Sequence, residues 1–273
     1  MAEQTVRQDD HIRHCRAIFI SDVHLGTKAS KAELLIDFLK HHDADVIYLV
    51  GDIVDFWRIK RSAHWPQSHN DVLQKILRKV RKGTRVVLLP GNHDEALRSY
   101  CGMHFGGIEI VDSIIHQTAT GKRMLVIHGD QFDVVVHHAK WLAFIGDWSY
   151  TVALSFNTWF NWVRKRFGFG YWSISAYLKQ KVKKAVSYMG DFENALTAAA
   201  NREGADGVIC GHIHHAAMKR IGTIDYVNTG DWVESGTAVV ENPDGAFEII
   251  RWLDLTESRL KEERVQQKLK LAA

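Results

Sequence analysis

The chain has little proline and little cysteine, and both shortages narrow the class of protein. Three prolines among 273 residues give no basis for long disordered linkers. Three cysteines, Cys15, Cys101 and Cys210, are too few and too widely spaced for a disulfide framework, which fits a reducing cytosol. We expect all three to be small, buried hydrophobic residues. A disulfide-stabilised secreted domain is therefore not expected.

Long apolar runs and a strong charge imbalance are also missing. The polar, histidine-rich stretch 1–16 lacks the apolar core of a signal peptide. The apolar run at 141–163 contains polar interruptions, which argue against a transmembrane helix. The net charge of +3 is mildly basic and does not by itself indicate a nucleic-acid partner. These absences predict a cytoplasmic protein.

What the chain does contain is a repeated arrangement in which an apolar, strand-like run ends in glycine and ligand-type residues. The five ends are Asp22-Val23-His24, Gly51-Asp52 with Asp55, Gly91-Asn92-His93-Asp94, His128-Gly129-Asp130 and Gly211-His212-Ile213-His214. Ligands of α/β folds collect at the carboxyl ends of the strands. We therefore expect these side chains to gather in one site, with glycine where the backbone turns sharply.

Strand and helix patterns alternate through about the first 105 residues, which predicts an α/β fold. A first strand is expected at 15–21. Residues 30–42 and 67–82 have helical periodicity, with Ser30 as the N-cap of the first helix and Gly83 as the C-cap of the second. Short strands follow at 108–111, 123–128, 207–211, 224–228, 237–241 and 246–252. They predict a second sheet packed on the first.

The predicted organisation is a core interrupted by an insertion. Its segments are a loosely attached arm (1–14), the core (15–132 and 204–255), a helical cap insertion (133–203) and a C-terminal helix (256–273). The cap holds more than half of the chain's nine tryptophans together with basic residues. Two interpretations have equal weight. The cap is either an ordinary small helical core, or an apolar groove or membrane-facing surface whose basic residues bind phosphate or anionic headgroups.

The residue types at the strand ends are those that bind borderline divalent metal ions. Carboxylate, amide and imidazole ligands suit Mn, Fe, Co or Zn, and the absence of cysteine from this ligand set excludes a structural zinc finger. The candidate ligands are Asp22, His24, Asp52, Asn92, His128, His212 and His214. One ion does not use seven ligands comfortably, so we expect two ions with one bridging carboxylate. Two ions roughly 3.5–4 Å apart hold a bridging hydroxide and stabilise an in-line displacement at phosphorus.

Together these motifs resemble the full signature of the calcineurin-like metallophosphoesterases, over roughly residues 15–130 and 205–252. The resemblance implies two packed mixed β-sheets flanked by helices, here with an inserted helical cap, and hydrolysis of a phosphoester or pyrophosphate bond by a metal-bridging hydroxide. It places Asp22, His24, Asp52 and His214 around one ion. It places Asp52, Asn92, His128 and His212 around the other. Manganese is the favoured ion, and iron, zinc and cobalt are alternatives.

The resemblance gives His93 and Asp55 a catalytic rather than a metal-binding role. His93 would face the substrate, where it stabilises charge on the phosphate or protonates the leaving group, and Asp55 would orient it. An imidazole held by a carboxylate is a better acid–base partner. For Asp55 a helix-start or turn residue is the competing interpretation.

A closer resemblance indicates a substrate class. Residues 128–133, the insertion after them and residues 228–234 resemble the UDP-2,3-diacylglucosamine diphosphatase branch. Enzymes of that branch act in lipid A synthesis and cleave the pyrophosphate of a UDP-linked diacyl sugar, releasing UMP. They commonly carry Arg where this chain has His93, and Arg offers a fixed charge where His offers a proton. A phosphorylated or lipid-linked nucleotide substrate is implied, at the cytoplasmic face of the inner membrane.

The cap would supply the substrate-binding residues and any peripheral membrane contact. The candidates are His137, His138, Trp141, Arg164 and Lys165. An exposed helix face explains the two histidines equally well. Nucleic acid is not an expected partner, because solvated helix faces account for the basic groups. The alternative functions are a phosphodiesterase or phosphatase acting on a soluble nucleotide or another phospholipid-like substrate, and a non-catalytic scaffold. The sequence leaves the oligomeric state open.

Overall fold

A computed structural model describes residues 12–135 and 189–261 of the chain. The chain divides into two compact units, one combining Met1–Asp130 with Ala199–Ala273 and the other spanning Gln131–Ala198. The five candidate cap residues, His137, His138, Trp141, Arg164 and Lys165, lie outside the described residues. No helix in the described ranges is long and apolar enough to cross a membrane.

Strands provide most of the regular structure of the first unit. In chain order they are β1 (Arg13–Ile20), β2 (His42–Val50), β3 (Arg85–Leu89), β4 (His104–Phe105), β5 (Ile108–Ile110), β6 (Ile114–Gln117), β7 (Arg123–Val126), β8 (Gly207–Cys210), β9 (Ala217–Ile221), β10 (Ile224–Asn228), β11 (Thr237–Glu241) and β12 (Phe247–Arg251). The helices between them are α1 (Ala32–His41), α2 (Phe56–Arg61) and α3 (Gln67–Arg81), with a 3₁₀ helix at Glu95–Tyr100 and another at Asp130–Val135. Residues 189–202 and 252–261 are also helical.

The strands form two mixed sheets, as predicted. The larger has the order β12-β11-β1-β2-β3-β5-β4, in which β1, β2, β3 and β5 are parallel neighbours and the flanking pairs are antiparallel. The smaller has the order β6-β7-β8-β10-β9, with a parallel centre of β7, β8 and β10. Parallel centres bring several carboxyl strand ends to one edge of each sheet.

Alternation along β1 shows how the sheets and helices share the core. Ile18 and Ile20 belong to a buried cluster that includes Phe38 of α1 and Val72 of α3. Ala17 and Phe19 face the other way, into a cluster with buried residues of the smaller sheet such as Ile209. Successive side chains of a strand point to opposite faces, so β1 is buried on both. The larger sheet is therefore covered by helices on one face and by the smaller sheet on the other.

Several sequence expectations need correction. Helix α1 begins at Ala32 with Lys31 as its N-cap and no side-chain capping hydrogen bond, so the assignment of Ser30 as the cap is wrong. Cys15 and Cys210 are buried as expected, but Cys101 is exposed. The helix expected from 256 starts at 252. By contrast, Gly83 follows α3 with a left-handed φ of 99°, which agrees with its predicted part in ending that helix.

Several short elements were not anticipated from the sequence, among them α2, β4, β6 and β9. Helix α2 buries no residue and both residues of β4 are exposed, so neither element has a buried apolar pattern to be recognised. Strand β9 is also largely exposed, so it carries no buried alternation. Strand β2 begins directly after α1, at His42, several residues before its apolar run 46–50. Local pattern therefore located the buried strands and missed the short edge elements.

Candidate active site

The parallel centre of the larger sheet places three of the predicted ligands next to one another. Asp22, Asp52 and Asn92 follow β1, β2 and β3 in the order in which those strands lie in the sheet. Backbone hydrogen bonds extend the strand pairing past its end, from Asp22 N to Gly51 O (3.0 Å) and from His24 N to Asp52 O (2.9 Å). The smaller sheet brings His128 after β7, and His212 and His214 after β8, to the same place.

The side chains form three overlapping groups whose ligand atoms lie within 4.8 Å of one another. The groups are Asp22 with His24 and His214, His24 with Asp52 and His93, and Asp52 with His128 and His212. Nε2 of His214 is 3.1 Å from Oδ1 of Asp22, and Nε2 of His128 is 3.5 Å from Oδ2 of Asp52. Asp52 thus lies between the two ends of the cluster.

Asn92, the remaining predicted ligand, lies in a loop that is hydrogen-bonded to the same cluster. The amide N–H of His93 donates to Oδ1 of Asp52 at 2.8 Å, which fixes the loop that carries Asn92 against that carboxylate. Oδ1 of Asn92 is buried and accepts no hydrogen bond from the described residues. Nε2 of His128 is likewise buried without a hydrogen-bond partner in this part of the chain. Buried polar atoms are normally satisfied, so this donor set fits divalent cations.

Electrostatics also favour cations at this place. Burial alone would raise the pKa of the Asp22 carboxyl, but the charges of His214 and His128 hold it well below its usual range. Burial opposes ionisation of Asp52 in the same way, and His128 lowers its pKa well below the usual range. Two ionised carboxylates with almost no exposure to water are thus held together by imidazoles. Buried carboxylates need positive charge nearby, which bound metal ions supply.

The backbone is strained at the cluster. Among the described residues, five that are not glycine have positive φ, and all five are predicted ligands: Asp22, His24, Asp52, His212 and His214, with φ between 50° and 72°. The left-handed conformation costs a non-glycine residue about 1–3 kcal/mol. Strain of this kind persists at functional sites, where the surrounding structure enforces it. At this site the positive φ values let Asp22 and His24, which both follow β1, direct their side chains into the same ligand group.

Three glycines allow the strand ends to approach closely. A Cβ on Gly91 would lie 2.4 Å from Oδ1 of Asp52 and 2.6 Å from Nε2 of His128. A Cβ on Gly51 would lie 2.2 Å from Nδ1 of His128, and one on Gly211 would lie 2.6 Å from Oδ2 of Asp22. Side chains at these positions would displace predicted ligands. The glycines that precede Asp52, Asn92 and His212 in the motifs therefore have a steric reason to be there.

His93 lies at the side of the cluster, where two contacts hold its ring. Nδ1 of His93 is 3.0 Å from Oδ2 of Asp55, and the indole of Trp57 packs against the imidazole with ring centroids 4.3 Å apart. Asp55 is also the N-cap of α2, because its Oδ1 accepts the backbone N–H of Arg58 at 2.8 Å. The contacts of Asp55 with His24, His93 and the backbone N–H of Arg58 outweigh burial and keep the pKa of Asp55 well below its usual range.

Two residues with clear structural tasks were not assigned one from the sequence. The buried carboxylate of Asp94 accepts the backbone N–H groups of Gly91 (2.6 Å) and Ile53 (2.8 Å), so it joins the loops after β2 and β3. Its place in the Gly91–Asp94 motif was the available signal. Arg98 pairs with Asp130 at 2.7 Å. No sequence signal links Arg98 with Asp130, because the two residues lie 32 positions apart in different segments.

A family model, two named enzymes and a solved structure are similar to this chain. A family model described as calcineurin-like phosphoesterase matches residues 15–216. The chain is 23% identical to the UDP-2,3-diacylglucosamine hydrolase of Vibrio atlanticus, over 86% of this chain and 96% of that protein. It is 25% identical to the enzyme of the same name from Aliivibrio fischeri, over 85% and 96%. A hypothetical protein from Pyrococcus horikoshii is a structural neighbour, with a TM-score of 0.45, 9% identity and coverage of 92% and 94%. The family match includes all seven predicted ligands.

Proposed function

Since this chain belongs to the calcineurin-like phosphoesterase family and is a metal-dependent phosphoesterase, we propose that it cleaves the pyrophosphate of a UDP-linked diacyl sugar such as UDP-2,3-diacylglucosamine, releasing UMP. The observation that carries this proposal is the sharing of Asp52 between ligand groups at the ends of two sheets, with His93 beside them. The substrate class is supported by relatives named for it, which align over most of this chain.

Seven residues would hold two divalent ions in the proposed enzyme. Asp22, His24 and His214 would bind one ion, Asn92, His128 and His212 the other, and Asp52 both. The bound ions would supply Lewis acidity and would activate the attacking water. We propose manganese, with iron, zinc or cobalt as alternatives, because imidazole and carboxylate ligands accept all of these.

His93 and Asp55 would act on the phosphate and its leaving group. The side chain of His93 is one fifth exposed, and its Nε2 lies 4.0 Å from Oδ2 of Asp52, at the margin of the ligand cluster. Oδ2 of Asp55 lies 3.0 Å from the opposite ring nitrogen, Nδ1, and orients the imidazole. His93 would therefore stabilise negative charge on the phosphate or donate a proton to the departing oxygen.

The lipid part of the substrate would be bound by the segment 133–203, the proposed cap. Its candidate contacts are His137, His138, Trp141, Arg164 and Lys165. Aromatic residues would contact acyl chains and basic residues would contact phosphate. On this proposal the enzyme works at the cytoplasmic face of the inner membrane, where its diacyl substrate would be embedded. Peripheral contact through the cap would then accompany catalysis.

The direct test is manganese-supplemented hydrolysis of UDP-2,3-diacylglucosamine in detergent micelles by the full-length protein, with UMP release followed by chromatography. We expect UMP release that Asp52→Ala abolishes. A parallel assay uses bis(4-nitrophenyl) phosphate. Cleavage of this diester without UMP release would overturn the lipid substrate and favour a soluble nucleotide or another phospholipid-like substrate. Absence of both activities and of bound metal would favour a non-catalytic scaffold instead.

A further inference from the structure

Arg98 makes an unusual set of contacts near the proposed second metal site. It lies in the 3₁₀ helix Glu95–Tyr100. Its Nη2 is 2.7 Å from Oδ1 and 2.9 Å from Oδ2 of Asp130, and it also donates to the backbone carbonyl of Pro90 at 3.1 Å. Nε of Arg98 lies 3.3 Å from a carboxylate oxygen of Asp112. One guanidinium thus joins separate parts of the chain.

The two principal partners each stand next to a proposed ligand. Pro90 comes two residues before Asn92, at the end of β3 in the larger sheet, and Asp130 comes two residues after His128, beyond β7 in the smaller sheet. The contact of Arg98 with both therefore crosses from one sheet to the other. Asn92 and His128 are proposed to bind the same ion, so the spacing of these two segments sets the geometry of that ion's site.

The same two segments already touch at the ligands themselves. A Cβ on Gly91 would fall 2.6 Å from Nε2 of His128, which leaves space only for glycine there. The Arg98–Asp130 pair joins the segments again, a few residues from that contact. Because the carboxylate of Asp130 has a side-chain exposure of only 8%, its interaction with the guanidinium is little screened by water. The close approach of Gly91 to His128 and the Arg98–Asp130 pair together fix the distance and the angle between the two segments.

The other end of the cluster is held by different contacts. The backbone carbonyl of Asp22 accepts the N–H of Trp232 at 3.0 Å. Asp22 N also donates to Gly51 O. None of these bonds involves Arg98 or Asp130. A change at Arg98 should therefore disturb one ion site more than the other.

We propose that Arg98 is a positioning residue for the Asn92–His128 side of the metal centre, acting through its ion pair with Asp130. The inference rests on the proposed assignment of the seven ligands. Groups that hold metal ligands in place typically change affinity by about 10–100-fold when they are removed.

The test is manganese binding to the metal-stripped full-length protein, measured by calorimetry together with bound-metal analysis. Arg98→Met should weaken one of the two binding events by about 10–100-fold and leave the other unchanged. Arg98→Lys should lie between Arg98→Met and wild type, because an ammonium donates to the same acceptors without the planar fork. Asp130→Asn should reproduce the selective loss, and thermal melting checks that each variant is folded.

Two reference variants show which binding event belongs to which proposed ion site, and one control variant shows whether the effect is specific to Arg98. Asn92→Ala should weaken the same binding event as Arg98→Met, and His24→Ala should weaken the other. Arg85→Met is the matched control, since Arg85 pairs with Glu109 at 2.6 Å at the opposite end of β3; its binding should equal that of wild type. Equal weakening of both events by Arg98→Met, or no weakening, would overturn the inference. A wild-type protein that binds no ion would overturn the proposed metal centre, and the role of Arg98 with it.

Discussion

Asp55 and His93 are joined by a contact of 3.0 Å between Oδ2 of the carboxylate and Nδ1 of the imidazole. The other oxygen of Asp55 accepts the N–H of Arg58 and begins α2. One carboxylate therefore both begins α2 and contacts His93, so the helix-start interpretation of Asp55 does not exclude the proposed partnership with His93. The start of α2 also presents Trp57 to the face of the same imidazole. His93 is held by a carboxylate and an aromatic ring that share one helix turn.

Replacing His93 by alanine should reduce turnover and spare the metal centre. We expect kcat to fall by about 10²–10⁴-fold if the imidazole serves as an acid or a charge stabiliser. The loss should be larger for phenyl than for 4-nitrophenyl esters, since the poorer leaving group has more need of a proton. Metal analysis of the same preparation is the control. A proportional loss of bound metal would contradict the role assigned to His93.

Replacing Gly91 by alanine should damage the site although no ligand is removed. The new Cβ would meet Oδ1 of Asp52 and Nε2 of His128 well inside van der Waals distance, so both side chains must move. We expect loss of metal binding and a stability decrease of about 1–3 kcal/mol, as for other overpacked sites. The comparison is Gly190→Ala, a helical position with open space around it, which should be neutral or slightly stabilising. Indistinguishable behaviour of the two variants in urea denaturation and metal analysis would refute this.

Backbone strain at the ligands should be measurable in metal-free protein. His214 has φ of 53°, a conformation that glycine adopts freely and alanine does not. We expect His214→Gly to be about 1 kcal/mol more stable than His214→Ala in urea denaturation with a chelator present. The order should reverse in the helix at 189–202, where Ala199→Gly destabilises. Equal stability of the alanine and glycine variants would mean that the loop relaxes without a cost in free energy.

Metal binding should release protons, and its affinity should increase with pH. Burial alone would lower the pKa of His128, but the charges of Asp52 and Asp22 raise it well above the ordinary value, and Asp22 likewise raises the pKa of His214. His128, with its pKa raised to about 10, therefore carries a proton at neutral pH without metal, and the raised pKa of His214 favours its protonated form. A bound ion must displace such protons. Calorimetry in buffers of different ionisation enthalpy measures the protons released. No dependence of the measured enthalpy on the buffer would show that the imidazoles are already neutral.

The sequence located the candidate site because its signals are local. A buried strand has a readable apolar run, and the residues just after it are identified by type, so Asp22, Asp52 and Asn92 could be grouped before any contact was known. Parallel pairing of β1, β2 and β3 then follows from the alternation of strands and helices. The short elements at the edges, such as β9, escaped because few residues with exposed side chains leave no periodic pattern.

The sequence by itself therefore determined the fold class, two mixed sheets with flanking helices, and the set of residues that meet at their edge. Only the tertiary structure decided how those residues contact one another. The packing of the smaller sheet against the larger one brings His128 to Asp52 and Arg98 to Asp130, across gaps of tens of residues. Such pairings depend on the register and angle of two packed sheets, which no local pattern encodes. The double role of Asp55 has the same origin, because its two oxygens serve groups from separate segments.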